Sequence, residues 1–324
     1  MTMAATGRVA SPPAWAVPLR AVDSWDCEAD GAGLSATARV RVDPGEVNLR
    51  GHFPGQPVYP GVFIVETLRQ LAGLALPDAG GAPPVLREVR AVRFLAPLVG
   101  GDQLTLTARM TPADSDGWLV QAEGVRGDGV TASRLTAVLE AAGAADVSGE
   151  PEAGGLGDAP AQPSPTEARA LDHAAIRAVL PQRHPLLLVD KVISLIPGRS
   201  IHAVTAVTAT DPCYANIPDD APPAAYTYPP SLLIEAFGQS AALLWLDQAG
   251  SLSAGQVLLF TAARGIRFHG TARPGDSLDL SLQLDTMIAD TAFASGQIRV
   301  RGRCIADVQV LTAARRPQAA LAPV

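Results

Sequence analysis

The feature that most constrains this chain is that it contains itself twice. PLRAVDS (18–24) matches PLLLVDK (185–191), and PGVFIVETLRQLAGLAL (60–76) matches PPSLLIEAFGQSAALLW (229–245). VRFLAPLVGGDQLTLT (92–107) matches IRFHGTARPGDSLDLS (266–281). Three matches in the same order indicate a tandem duplication, so whatever fold one half adopts, the other should adopt too. Residues 142–170, AGAADVSGEPEAGGLGDAPAQPSPTEARA, are rich in Ala, Gly, Pro, Ser and acids and carry few large apolar side chains. Such a segment buries too little surface to order itself and reads as a flexible linker. The expected division is domain 1 over 14–141, the linker over 142–170, domain 2 over 171–316 and a tail over 317–324.

Each half shows the same layout. LSATARVRV (34–42) alternates apolar and polar residues before a helical segment, and further alternating runs follow it, LDLSLQLD (278–285) being the clearest. Period-two alternation predicts half-buried antiparallel strands. The helical segments are apolar on most faces, which suits a helix largely covered by a curled sheet. The expected class is α+β, twice over.

Composition narrows the partners. The chain has 324 residues, of which 48% are hydrophobic and 18% charged, with a net charge of −7. Nothing basic is concentrated enough to track nucleic-acid phosphates. Cys27, Cys213 and Cys304 lie far apart without CxxC or metal spacing, as expected of free thiols in a reducing cytoplasm. No stretch has the length of apolar sequence that a membrane span requires, and the N-terminus does not resemble a secretory signal. No metal and no cofactor is expected.

The densest local signal is GHFPGQPVYPGVFIVE (51–66). Pro54, Pro57 and Pro60 fix their own φ and restrain the residues before them, so His52 is expected in a stiff, irregular loop. From Val62 the chain enters the apolar helix, with Glu66 about one turn in. An imidazole held near a carboxylate on a buried helix is equipment for acid–base chemistry.

These residues, with VRFLAPLVGGDQL downstream and IRAVLPQRHPLLLVDKVISLIPG (176–198) in the second half, resemble the 3-hydroxyacyl-[acyl carrier protein] dehydratases of bacterial fatty-acid and polyketide synthesis, the FabA/FabZ-like family. The resemblance implies a hotdog fold, and the duplication then implies a double hotdog: the family's usual dimer within one chain, an intrachain pseudo-dimer able to assemble further. It implies a substrate carried on an acyl carrier protein. It also implies active sites that draw a histidine from one hotdog and a helix carboxylate from the other. A neutral imidazole would take the C2 proton, and a carboxyl kept protonated by apolar surroundings would give a proton to the departing hydroxyl. The N–H of Gly61, at the start of the helix, would face the thioester oxygen, and glycine there would let the acyl chain pass close to the backbone.

The halves are not equivalent. Glu235 matches Glu66, but the second histidine is missing: counting from DPCYAN places Ile217 at its position, and counting back from Glu235 places Ala221 there. Gly61 is matched by Pro230, which has no N–H. Base and oxyanion donor are thus lost together. The family geometry implies one composite site of His52, Gly61 and Glu235, beside a degenerate one at Ile217, Ala221 and Pro230, with Glu66 as the alternative carboxylate. Tyr226 and Tyr228 fall in the altered loop, where they would line or plug that degenerate site. His184 is expected in a loop near the seam between the halves; for His173, His202 and His269 no role is expected. Arg87, Arg90, Arg93, Arg264 and Arg267 form a candidate docking patch for an acidic carrier protein. Competing functions are a hotdog thioesterase and a non-catalytic carrier-protein-binding partner of another dehydratase.

Overall fold

The computed structural model describes residues 4–76, 84–113, 117–140, 168–249 and 255–321. The first half comprises β1 (Ala4–Arg8), β2 (Ser24–Asp30), β3 (Gly33–Arg41), α1 (Val47–His52), α2 (Val62–Ala75), β4 (Val85–Phe94), β5 (Gln103–Ala113), β6 (Gly117–Arg126) and β7 (Thr131–Glu140). The second comprises β8 (Arg169–Leu171), α3 (His173–Val179), β9 (Lys191–Ile196), β10 (Ser200–Ala206), α4 (Pro230–Ala249), β11 (Gln256–Phe268), β12 (Ser277–Ile288), β13 (Thr291–Val300) and β14 (Arg303–Pro317).

The strands form one antiparallel sheet in the order β1-β2-β3-β5-β6-β7-β4-β11-β14-β13-β12-β10-β9-β8. The order is a palindrome: every strand of the first half sits where its counterpart sits in the second. The halves join at β4 and β11, which pair from Ala262↔Arg93 to Arg267↔Glu88. The alternation seen in the sequence appears as burial. Leu104, Leu106, Ala108 and Met110 of β5 face inward, as do Leu278, Leu280 and Leu282 of β12. Against these faces lie α2 and α4, which also pack on each other. On α4 nearly every described side chain from Ser231 to Leu246 is buried, so the helix shows no polar face. Phe63 of α2 and Phe237 of α4 are fully buried in one core that runs through both halves.

Three expectations meet differences. His52 ends the short helix α1 instead of sitting in irregular loop. Glu46 caps that helix by accepting from Asn48 N, and Pro54 keeps Phe53 extended, so the helix stops at His52. The expected linker lies outside the described residues except at 168–170, where the chain already enters edge strand β8. The expected tail begins with ordered structure. Pro317 closes β14, Gln318–Leu321 forms a 3-10 turn, and Leu321 is fully buried against Phe53, Val58, Val99 and Val257. Leucine at that position has apolar surface to cover, so the chain folds back under the HFPG segment.

Candidate active site

The HFPG segment is a turn with a purpose-built geometry. Gln56 N donates to Phe53 O at 2.9 Å across Pro54 and Gly55, and Gly55 has φ +84°. Proline second and a left-handed glycine third is the signature of a type II turn. Beyond it Val58 bridges to Val99, and Tyr59 N donates to Leu98 O at 2.8 Å. The turn folds the Val58 carbonyl back onto the histidine, 3.0 Å from His52 Nδ1. A carbonyl only accepts, so Nδ1 carries the proton and Nε2 is left with its lone pair. The Phe53 ring packs edge-on against the imidazole at 4.5 Å. Burial lowers the His52 pKa below its usual 6.5, opposed by the nearby Glu235 carboxylate and by the bond to Val58 O. The ring is therefore neutral at neutral pH.

Gly51 explains how the second half reaches this place. Arg183 N donates to Gly51 O at 2.7 Å, and a Cβ on Gly51 would lie 2.7 Å from Arg183 O and 3.1 Å from His184 O. His184 thus belongs to the loop that crosses the seam, against α1. On that side stands Glu235 of α4, 8% exposed. Gln239, one turn on, donates Nε2 to Glu235 Oε1 at 2.8 Å. Gln239 is itself held by Leu186 O at 2.7 Å and Leu188 N at 2.9 Å. Among the described residues no hydrogen bond reaches Glu235 Oε2.

Gly61 precedes α2, and its N–H has no acceptor among the described residues. A Cβ there would come within 2.9 Å of the Phe94 ring, which stacks edge-to-face on Phe260 across the β4–β11 seam at 5.3 Å. The close approach that requires glycine is thus made by Phe94, where the sequence reading had the acyl chain.

The degenerate positions have a different fate. Ile217 and Ala221 pack with Tyr226 against Trp15, Val17 and Ala225. Ala16 N donates to Ala225 O at 2.8 Å and Val17 N to Cys213 O at 3.0 Å, so an N-terminal segment covers the space. Tyr228 is buried nearby, and Pro230 begins α4 without an N–H to offer. Glu66 is 1% exposed and accepts from Arg69, Gln70 and, across the halves, Ser231.

The remaining candidates separate. His202 and His269 pair with Asp279 and Asp307 on the sheet, and His173 begins α3. The arginine patch straddles the β4–β11 seam, but Arg87 pairs with Glu140, and Arg90 and Arg267 both reach Glu88. Arg93 and Arg264 remain exposed there. A cleft of about 550 Å³, lined among others by Asn48, Arg183, His184, Tyr228 and Leu232, opens near the site but includes neither His52 nor Glu235. Among the described residues no cluster could hold a metal, and no helix is long and apolar enough to cross a membrane. The sequence reading missed Gln70 and Gln239, although both matched stretches carry Glu-x-x-x-Gln, a spacing that places the two side chains one turn apart.

The chain has a helix-wrapping sheet doubled about a seam, with a histidine turn in the first half and a buried helix carboxylate in the second, and what it is similar to are hotdog-fold dehydratases. Residues 28–127 match the ApeI-like family model, described as ApeI dehydratase, and residues 180–309 match the FabA-like domain. The 3-hydroxyacyl-[acyl-carrier-protein] dehydratase FabZ of Pseudoalteromonas translucida (strain TAC 125) is 30% identical over 149 residues, 46% of this chain and 97% of the relative. The chain belongs to the FabA/FabZ-like family of hotdog dehydratases, with two such units in tandem.

Solved structures of similar shape are double-hotdog domains. The dehydratase domain of the CurJ module of the curacin polyketide synthase has a TM-score of 0.58 at 15% identity, covering 90% of this chain and 95% of that one. The dehydratase domain of PpsC from Mycobacterium tuberculosis has 0.56 at 11%, covering 95% and 99%. The α+β double hotdog is thereby the fold of this chain.

Proposed function

We propose that this protein dehydrates 3-hydroxyacyl thioesters borne on an acyl carrier protein to trans-2-enoyl thioesters, in the cytoplasm, at one composite site. The observation that supports the reading is the seating of the second half on the histidine segment, Arg183 N donating to Gly51 O at 2.7 Å, with Glu235 of that half as the charge that opposes the effect of burial on His52. His52 Nε2 removes a proton from C2. The C–H electrons form the C2=C3 bond as the C3–O bond breaks, and Glu235, a carboxylate towards His52 in the free protein, takes up a proton with the substrate and delivers it to the leaving oxygen, releasing water. Among the described residues the Gly61 N–H donates to no acceptor, so it can donate to the thioester oxygen as charge builds there. Gln239 occupies one carboxyl oxygen and leaves the other, Oε2, for the proton transfer. The acyl carrier protein enters as the carrier named for the FabZ relative, and Arg93 and Arg264 are exposed cations available to an acidic partner.

The test compares dehydration of a 3-hydroxyacyl thioester by Glu235→Gln, Glu66→Gln and His52→Ala. Loss of about 10²–10⁴-fold is expected for Glu235→Gln and His52→Ala, with Glu66→Gln close to the parent. A dead Glu66→Gln beside an active Glu235→Gln overturns the pairing. Release of free thiol would move the protein to the thioesterases, and an inactive parent would make it a carrier-binding partner.

A further inference from the structure

The two central helices differ at one position that this mechanism does not use. Arg69 follows Glu66 by three residues, and Gly238 follows Glu235 by three. Arg69 is 4% exposed and grips Glu66 with both ends of its fork, Nε to Oε2 at 3.1 Å and Nη2 to Oε1 at 2.9 Å. Its Nη2 also donates to Ala16 O at 2.9 Å. Gln70 adds a bond to Oε1 at 2.9 Å and Ser231 one to Oε2 at 3.1 Å. Both oxygens of Glu66 are taken up, in a buried bidentate ion pair with Arg69. Glu66 is a structural anion that ties α2 to the Trp15–Val17 segment and to α4.

At Gly238 the corresponding space is open. A Cβ there would meet no atom within 4 Å. Glycine inside a helix costs roughly 0.5–1 kcal/mol relative to alanine, so its presence calls for a cause. Gly61 has one in the Phe94 ring, and Gly73 is crowded by Pro84 and Trp15 at 3.3 Å. Gly238 has no such neighbour, and its φ is not left-handed. Among the described residues Glu235 beside it accepts one hydrogen bond, from neutral Gln239, where Glu66 accepts four.

We propose that Gly238 is a positioning residue: the absence of a side chain there keeps Glu235 without a cationic partner, so that it can hold and release the catalytic proton, while Arg69 at the matching position has converted Glu66 into a fixed ion. The degenerate site is therefore switched off at its acid as well as at its base. This rests on the reading of Glu235 as the acid.

The experiment measures pH–rate profiles for the parent, Gly238→Met, Gly238→Arg and Gly238→Lys with 3-hydroxybutyryl-N-acetylcysteamine as the probe, beside Glu235→Gln. A cation at position 238 is expected to lower kcat by about 100-fold, with little change in KM, and to move the alkaline limb about one pH unit downward. Gly238→Met, of similar reach but uncharged, keeps the parent's limb and most of its kcat. Circular dichroism checks that each variant is folded, and Gly238→Lys decides the matter if Gly238→Arg is not. Equal losses in Met, Arg and Lys with unmoved limbs, or an active cationic variant, overturn the proposal. An active Glu235→Gln instead overturns the reading of the acid on which it stands.

Discussion

Gln239 donates to Glu235 across one turn of α4 while its amide spans Leu186 O and Leu188 N. In the first half Gln70 does the same for Glu66, bridging Leu19 O and Ala21 N at 3.0 and 2.9 Å. The duplicated PLxxVD segment thus holds, in both halves, the glutamine that donates to the helix glutamate. Replacing Gln239 by Leu should remove about 1–3 kcal/mol of stability, because two buried backbone groups lose their partner. It should also lower kcat by roughly 10-fold through a misdirected Glu235. Gln70→Leu should show the stability loss alone. Thermal melts and kcat for the two variants check this; equal effects on kcat would mean that both acids serve.

Gly61 and Phe94 form a pair in which one residue's missing side chain holds the other's ring. Gly61→Ala places a methyl 2.9 Å from that ring and should cost about 1–3 kcal/mol through overpacking. Adding Phe94→Leu to Gly61→Ala should recover part of that loss. The double-mutant cycle reports a favourable coupling if the contact is as described, and simple additivity if it is not.

Leu321 reaches the HFPG turn from the far end of the chain. Leu321→Ala should destabilise the protein by about 2–5 kcal/mol. Because its neighbours are Phe53 and Val58, it should also loosen the turn that holds His52. Hydrogen exchange at Gln56 and Tyr59 measures the loosening directly, and unchanged protection there would show that Leu321 is only core.

The pH dependence of folding follows from His52. Its folded pKa lies below 6.5, so between the two values the unfolded chain binds more protons than the native one. Stability is fully present above the unfolded pKa and is lost as pH falls from about 6.5 through the folded value. In urea titrations at pH 5 and 7.5, His52→Gln should lose less stability on acidification than the parent does. Parallel curves would show that His52 is not buried neutral.

Much of this was legible because it was local or repeated. The HFPG string, the helix carboxylates and the loss of the base at Ile217 or Ala221 lie in contiguous stretches that can be laid against each other. The α+β class followed from alternation in runs such as 278–285. Hidden features depend on where distant chain arrives. Trp15–Val17 packs against Ile217 and Ala221 and Leu321 against the HFPG turn, yet neither carries a signature beyond being apolar. Arg69 and Gly238 stand in the matched stretches in plain view, but their meaning depends on a fork reaching back to Glu66 and on a void, neither of which a sequence displays. The reading of His52 as loop failed for a similar reason, since a helix as short as α1 owes its existence to Glu46 and to the burial of Leu49 and Asn48.

The central claim is that His52 of one half works with Glu235 of the other. The most direct measurement is the titration of the His52 ring, followed by NMR in ¹⁵N-histidine-labelled parent, Glu235→Gln and Glu66→Gln. The Glu235 carboxylate raises the His52 pKa against the effect of burial, so its removal should lower that pKa further. Glu66→Gln should leave it where it is in the parent. A His52 titration that ignores Glu235→Gln, or that follows Glu66→Gln, would contradict the composite site.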